Sequence, residues 1–300
     1  MTTPAVSVII PAYNRSWGLR RAVTSVLAQT FPDLELIISD DASTDDTPEV
    51  VRSFVDPRVR YYRQSHNVGV ARNWGTGVEL AHGEFVALLM DDDQYEPKFL
   101  ARRVAALRAH PGSSFAFSSG YRVVDQAGVI VKNHLPKCKP GPISGKELVA
   151  AALARDCFIG ATLYRTSILR LIWPASESAG IVRDHATNLL LAVRPAASAV
   201  YLDGADFLMA VHPGQLSQTR TDEAFRETVG VLDRLLAEPL PPATRRLVLR
   251  EAASWHVVGG RAAAAAGRRG EAVCRLIKAA RLSPLSRGPW TQLARTVTGL

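Results

Sequence analysis

Three consecutive carboxylates, Asp91, Asp92 and Asp93, close the apolar run Phe85-Val86-Ala87-Leu88-Leu89-Met90. Adjacent carboxylates repel one another, and a divalent cation with oxygen ligands removes that cost. A solvated acidic turn, capping the helix that follows Pro97, is the other use of such a triplet. A second acidic pair, Asp40-Asp41, ends the run Leu34-Glu35-Leu36-Ile37-Ile38-Ser39, and here too helix capping competes with ligand binding. Asp184 stands beside Arg183, and His212 opens His212-Pro213-Gly214-Gln215-Leu216-Ser217.

The elements around these residues decide where they emerge. A short, unbroken apolar run after Gly83 predicts a strand buried on both faces of a parallel sheet. Ligands collect beyond the carboxyl ends of such strands, so the triplet should mark a functional edge. Val6-Ser7-Val8-Ile9-Ile10 reads as a first strand that Pro11 terminates. Leu19, Val23, Val26 and Leu27 share a helical face, and residues 34–39 form a second strand. Ser43-Thr44-Asp45-Asp46 predicts a helix N-cap, 59–62 a strand and 70–80 a helix. Strand and helix thus alternate up to the triplet, predicting right-handed βαβ units and a mostly parallel sheet. Neither G-x-x-x-x-G-K-[ST] nor G-x-G-x-x-G after the first strand is present. Phosphates would need another holder, and a metal on the triplet is the available one.

Beyond it, 99–109 reads as helix, 115–121 as strand, and the Gly-, Pro- and Lys-rich stretch 125–145 as a mobile loop over the site. Helix is expected at 146–154 and 184–193, and strand at 158–164, 200–202 and 207–211. From Thr221 onward the pattern is helical, with breaks expected at 238–242, Gly259-Gly260, Gly267 and Ser283-Pro284.

Composition is that of an ordinary soluble globular protein, 300 residues with 47% hydrophobic and 21% charged side chains. No run is apolar and long enough to span a bilayer and no secretory leader is apparent, so the cytoplasm is the expected location. Cys138, Cys157 and Cys274 have neither metal-ligand nor disulfide spacing. The formal charge is +8, and the stretch from residue 221 carries thirteen basic against seven acidic residues. That excess would suit the inner face of an anionic membrane, an acidic acceptor, a homodimer contact or merely a solvated helical face. A nucleic-acid partner is not expected, because no aromatic-interleaved basic motif accompanies the charge.

The chain resembles the family 2 glycosyltransferases, inverting enzymes of the GT-A fold. The resemblance runs through Val6-Ser7-Val8-Ile9-Ile10-Pro11-Ala12-Tyr13-Asn14, Ser39-Asp40-Asp41-Ala42-Ser43-Thr44-Asp45, Asn67-Val68-Gly69-Val70-Ala71-Arg72-Asn73-Trp74-Gly75 and Leu89-Met90-Asp91-Asp92-Asp93. It is dense to about residue 125 and thinner to about 218. It implies a Rossmann-like, mostly parallel mixed sheet flanked by helices, in a domain over 1–218 with a helical C-terminal region at 219–300. Residues 1–125 would form the nucleotide-sugar half and 126–218 the acceptor half.

The resemblance also implies roles. Pro11, Ala12, Tyr13 and Asn14 would seat base and ribose, Asp40 would accept the uracil or thymine N3–H, and Arg72 would approach the same base. Asp92 would be the principal ligand of Mg²⁺ or Mn²⁺, with Asp93 and His212 beside it and Asp91 on ribose or metal-bound water. Met90 stands where the family's DxD motif begins with an acid, so the match is to the variant without one. Asp184 would be the catalytic base, with Arg183 in place of the customary acid, or else the N-cap of its helix. The implied reaction moves a sugar from a UDP- or dTDP-sugar to a hydroxyl of a glycan, a lipid-linked saccharide or a small natural product. A sugar nucleotidyltransferase and a non-catalytic nucleotide-sugar-binding scaffold are the alternatives.

Overall fold

The computed structural model describes residues 3–125, 127–135, 139–177, 180–212 and 221–298. Cys138, the expected motif residues Pro213 to Ser217 and the expected boundary at 218/219 lie outside them. The chain divides into two compact units, Met1–Gln215 and Leu216–Leu300.

The first unit is built on an eight-stranded sheet. Its first half is β1 (Val6–Ala12), β2 (Leu34–Asp40), β3 (Val59–Arg63) and β4 (Phe85–Leu88). β1 pairs in parallel with β2 and β4, and β2 with β3. These strands are parallel because each crossover is a helix: α1 (Ser16–Leu27), α2 (Thr47–Arg52) and α3 (Val70–Leu80). Leu19, Ala22, Val23 and Val26 form the buried face of α1 and pack with Val8, Ile10, Leu36 and Ile38 in one core. Each such Val, Leu or Ile side chain contributes roughly 2 kcal/mol by leaving water. Gly77 of α3 permits close approach to β1, since a Cβ there would lie 2.3 Å from Ile9 Cγ2.

β1 extends through Pro11 to Ala12, further than the sequence predicts. Its pairing with β4 ends at Ile9↔Leu88, whereas its pairing with β2 continues to Ala12↔Asp40. Pro11 therefore sits where the strand has one neighbour, and its missing N–H leaves no ladder bond unmade.

The rest of the sheet is mixed. β5 (Gln94–Tyr95) and α4 (Phe99–Ala109) follow the triplet, then β6 (Phe115–Phe117) and β7 (Tyr121–Val124). The expected single strand over 115–121 is thus two strands in different sheets. The expected mobile loop at 125–145 contains β8 (Ile130–His134) and β9 (Gly141–Ser144). Val129-Ile130-Val131 has the β-branched content of a strand, and Pro142 is tolerated because β9 is an edge. α5 (Gly145–Leu153), β10 (Thr162–Arg165), α6 (Thr166–Glu177), α7 (Arg183–Ala192), β11 (Ser198–Tyr201) and β12 (Phe207–Ala210) complete the unit. β10 runs antiparallel between β4 and β6, and β11 pairs with β6 and β9.

A second sheet has the order β5-β12-β7-β8. It is tied to the first layer by Arg103, which is fully buried and places Nη2 2.9 Å from Asp206 Oδ1 and 3.0 Å from Ser118 Oγ. A buried guanidinium needs such partners, and Asp206 just before β12 provides them.

The second unit comprises α8 (Thr221–Ala237), α9 (Pro242–Ala265), α10 (Arg269–Leu282) and α11 (Arg287–Thr298). Gly259-Gly260 does not break α9. Added Cβ atoms would lie 2.3 Å from the Phe225 ring and 2.8 Å from Leu276 Cγ, so these glycines allow helices to approach.

Candidate active site

The triplet lies beyond β4 at the C-terminal edge of the parallel half-sheet, as the sequence predicts. Leu89 N–H still donates to Ile9 O at 2.9 Å, after which Asp93 N–H donates to Met90 O and turns the chain. The carboxylates are not solvated: Asp91, Asp92 and Asp93 are 4%, 5% and 6% exposed. Against their backbone lies Gly18 of α1, where a Cβ would stand 2.7 Å from Asp91 O and 3.0 Å from Asp92 Cα.

Each carboxylate has a different set of partners. Asp91 Oδ1 lies 2.9 Å from Arg15 Nη1, and its Oδ2 accepts the Tyr13 N–H at 3.3 Å. Asp92 Oδ2 lies 3.4 Å from the same Arg15 nitrogen and 2.9 Å from His212 Nε2. Asp93 turns to the second sheet and accepts the Ala210 N–H at 2.8 Å. Burial pushes the Asp91 carboxyl up to about 7; Arg15 opposes the shift and Asp92 adds to it. Burial and then Asp92 hold Asp93 well above the usual carboxylate range. The cluster carries more negative charge than Arg15 neutralises.

The donor set fits a divalent cation in part. Cis ligands of an octahedral ion at about 2.1 Å stand about 3 Å apart, which matches the spacing of Asp92 Oδ2 and His212 Nε2. Among the described residues no group of three or more His, Cys, Asp or Glu has metal-holding geometry. Waters and substrate oxygens commonly complete a magnesium shell. His212 is held by Trp17, whose ring meets it edge-on at 5.3 Å.

Asp40 ends β2 at the same edge, enclosed and 0% exposed. Its Oδ1 accepts Ser43 N–H at 2.9 Å, and its Oδ2 accepts the Tyr61 hydroxyl at 2.5 Å. Asp41 accepts Val68 and Gly69 N–H groups at 2.7 and 3.0 Å, holding the start of α3. Asn14 and Ala42 follow the two strands with left-handed φ of 52° and 59°. For Ala42 that conformation costs about 1 kcal/mol. Asn14 Oδ1 accepts the Thr44 N–H at 2.7 Å, linking the two loops. The expected Ser43-to-Asp46 N-cap does not form: Asp46 occupies the cap without a side-chain bond, and Asp45 accepts from Ser16 and Thr47. Pro11 and Ala12 line up with Ser39 and Asp40. Arg72 lies on the surface, 3.1 Å from Glu79.

Asp184 is in the first turn of α7, whose N-cap is Val182, so it is not a capping residue. Burial raises its carboxyl above the usual range, against the His185 N–H, Arg155 and Arg183. Arg183 turns away, its guanidinium carbon 5.9 and 5.8 Å from the Trp74 and Trp173 ring centres. The sequence suggested that Arg183 could weaken this base; burial outweighs it.

Sequence reasoning missed Arg15, Trp17, Gly18 and Tyr61. Arg15 directly follows the Pro11–Asn14 motif, and its position just past β1 was the available signal.

Sheet order, acidic edge and appended helices place the chain in the GT-A class of α/β folds. Residues 7–173 match the Glycosyl transferase family 2 model, and the chain belongs to that family. It is 33% identical over 171 residues to the GalNAc(5)-diNAcBac-PP-undecaprenol beta-1,3-glucosyltransferase of Campylobacter jejuni, covering 55% of this chain and 53% of that one. It is 36% identical over 132 residues to the chondroitin synthase of Escherichia coli, covering 43% of this chain and 19% of that one. The chain thus matches about half the length of the first relative and less of the second. In structure it is similar to S. aureus TarS 1-349 in complex with UDP-GlcNAc, with a TM-score of 0.74, 16% identity, and 97% and 88% of the two chains covered. It is also similar to the mannosyltransferase PcManGT from Pyrobaculum calidifontis in complex with GDP-Man and Mn²⁺, with a TM-score of 0.60, 18% identity and 99% and 85% coverage.

Proposed function

We propose that the protein is an inverting glycosyltransferase that moves a sugar from a UDP- or dTDP-sugar to an acceptor hydroxyl. The observation that carries this reading is the convergence of Asp91, Asp92, Arg15 and His212 at the edge of the parallel half-sheet. A nucleoside diphosphate needs countercharge at its phosphates, which Arg15 and a cation on the carboxylates would supply together, and a polar rim at its base. Pro11, Ala12, Tyr13 and Asn14 flank the base and ribose. Asp40 reads the base N3–H if Tyr61 yields its place, and Arg72 swings from Glu79 to join it. Asp92 and His212 would hold Mg²⁺ or Mn²⁺, with Asp93 as a supporting carboxylate. Such a cation supplies charge against the leaving diphosphate.

Asp184 takes the proton of the acceptor hydroxyl. The oxygen forms its bond to the anomeric carbon from the face opposite the diphosphate, the bond from that carbon to the phosphate oxygen breaks, and configuration inverts. A raised pKa suits Asp184 to this role, since a base poised nearer neutrality accepts a proton more readily.

Residues 1–125 act as the nucleotide-sugar half, 126–218 as the acceptor half, and 219–300 as a helical appendage. The acceptor is lipid-linked, a reading supported by the undecaprenol-linked substrate in the name of the Campylobacter relative. No helix among the described residues is long and apolar enough to cross a membrane. The protein would meet such an acceptor at the cytoplasmic membrane surface. The test is release of nucleoside diphosphate from a panel of UDP-, dTDP-, GDP- and CDP-sugars with undecaprenol-linked saccharides as acceptors. A β-linked product from an α-linked donor is expected. Donor turnover with retained configuration, or pyrophosphate as product, would overturn the reading.

A further inference from the structure

The mouth of this site has an apolar rim that donor chemistry does not use. Trp17 and Val211 are 42% and 40% exposed, although they neighbour the buried triplet and His212. The rim continues onto the β7–β8 hairpin, where Val129, Ile130, Val131 and Leu135 are 59%, 45%, 60% and 75% exposed. The connection is traceable contact by contact. Arg21 lies over the Trp17 ring at 5.6 Å, and a Cβ on Gly128 in the hairpin turn would stand 3.4 Å from Arg21 Nη1. On the other side, Val211 N–H donates to Val124 O at 2.9 Å. β7 runs parallel to β12, so the turn after Val124 lies at the same end of the sheet as His212.

Asp125 Oδ1 accepts the N–H groups of Ala127 and Val129, both at 2.9 Å, and Asp125 N–H donates to Val129 O. Charge on the segment is of one sign: between Asp125 and Glu147 the sequence has four lysines and no acid. Exposed β-branched residues among lysines in a stretch of sequence without acids are complementary to an anionic bilayer, which takes apolar side chains below its headgroups and attracts the cations. Trp17 beside them is of the type that favours the headgroup level. Pairing with a second copy through the β8 edge is disfavoured, because Lys132 and a bulge between Val123 and Val124 break up that edge. In the second unit Arg268 and Arg275 pair with Glu271 and Lys278 pairs with Asp233, and its basic residues stand among acidic ones along the sequence.

We infer that the β7–β8 hairpin and Trp17 form a bilayer-contacting rim that sets the mouth of the site against an anionic membrane surface. This rests on the transferase reading and gives it a docking geometry: a lipid-linked acceptor would reach the site from the plane of the membrane without leaving it.

The test is sedimentation of the full chain with vesicles of phosphatidylcholine alone or with phosphatidylglycerol. Binding to the anionic vesicles only is expected, weakening as salt rises. Ile130→Ser with Val131→Ser, and separately Lys132→Glu, should each reduce partitioning about tenfold. The same variants should bind nucleoside diphosphate as wild type does in calorimetry. Loss of that binding in wild type would defeat the transferase reading, and the vesicle result would stand apart from it. Absence of wild-type vesicle binding, or hairpin variants that sediment like wild type, would overturn the inference. So would loss of binding in Arg287→Glu with Arg295→Glu alone, or a dimer in ultracentrifugation that Val131→Ser dissolves.

Discussion

Arg15 Nη1 lies 2.9 Å from Asp91 Oδ1 and 3.4 Å from Asp92 Oδ2, so one guanidinium bridges two carboxylates of the buried triplet. Arg15 keeps a side-chain exposure of 27%, which moderates the strength of both contacts. Removing it leaves three adjacent carboxylates with less countercharge. Arg15→Ala should cost about 1–3 kcal/mol, below the range for fully buried pairs because of that exposure. Millimolar Mn²⁺ should raise the melting temperature of the variant more than that of wild type, since the ion and Arg15 offset the same charge. Differential scanning fluorimetry with and without Mn²⁺ checks both.

Gly18 should be intolerant of even one methyl group. A Cβ would stand 2.7 Å from Asp91 O, and that neighbour is backbone that cannot rotate away. Gly18→Ala should therefore shift Asp91 and Asp92 by a few tenths of an ångström. Affinity for nucleoside diphosphate should fall by at least tenfold, while the melting temperature drops by only a few degrees. Calorimetric titration beside thermal unfolding separates the two effects.

Asp184→Asn should leave nucleotide binding unchanged and lower kcat by about 10²–10⁴. The pH dependence has a definite sign. Burial raises the Asp184 pKa, and a base works only when deprotonated, so kcat/KM should rise with pH and level off above that pKa. The rise should come at higher pH than an ordinary aspartate would give, and it should vanish in Asp184→Asn. A scaffold that only binds nucleotide would show no response to this substitution.

The second unit carries its own pH dependence. His256 is buried, and burial, with Lys278 and Arg275 against Asp233, lowers its pKa to about 4. Unfolded histidine titrates near 6.5, so between these values the unfolded chain binds the extra proton. Stability from neutral His256 is present above about 6.5 and is lost as pH falls toward 4, by roughly 3 kcal/mol. Acid unfolding followed by circular dichroism should show this loss, and His256→Phe should flatten it.

Much of the first unit was legible in the sequence because local apolar patterns and global packing agree there. The runs 34–40 and 85–88 are strands enclosed by helices, and 70–80 and 99–109 are helices at the expected bounds. The pattern failed where a residue's partner is remote. Arg15 meets Asp91 at a separation of 76 residues, which no periodicity reveals. Arg183 and Asp184 are neighbours in sequence, yet successive helical residues point about 100° apart, so Arg183 packs near two tryptophans. Gly259-Gly260 reads as a helix breaker until Phe225 and Leu276 are seen filling the space that Cβ atoms would take. The helix Thr166–Glu177 escaped notice, and Pro174 within it explains why.

Calorimetric titration of UDP, dTDP, GDP and CDP, each with and without Mn²⁺, into wild type and Asp92→Ala tests the central claim most directly. One uracil or thymine diphosphate should bind wild type and tighten at least tenfold with Mn²⁺, and Asp92→Ala should abolish the tightening. Absence of binding by every diphosphate, or a metal effect that survives in Asp92→Ala, would contradict the assignment of the β4 edge as the donor site.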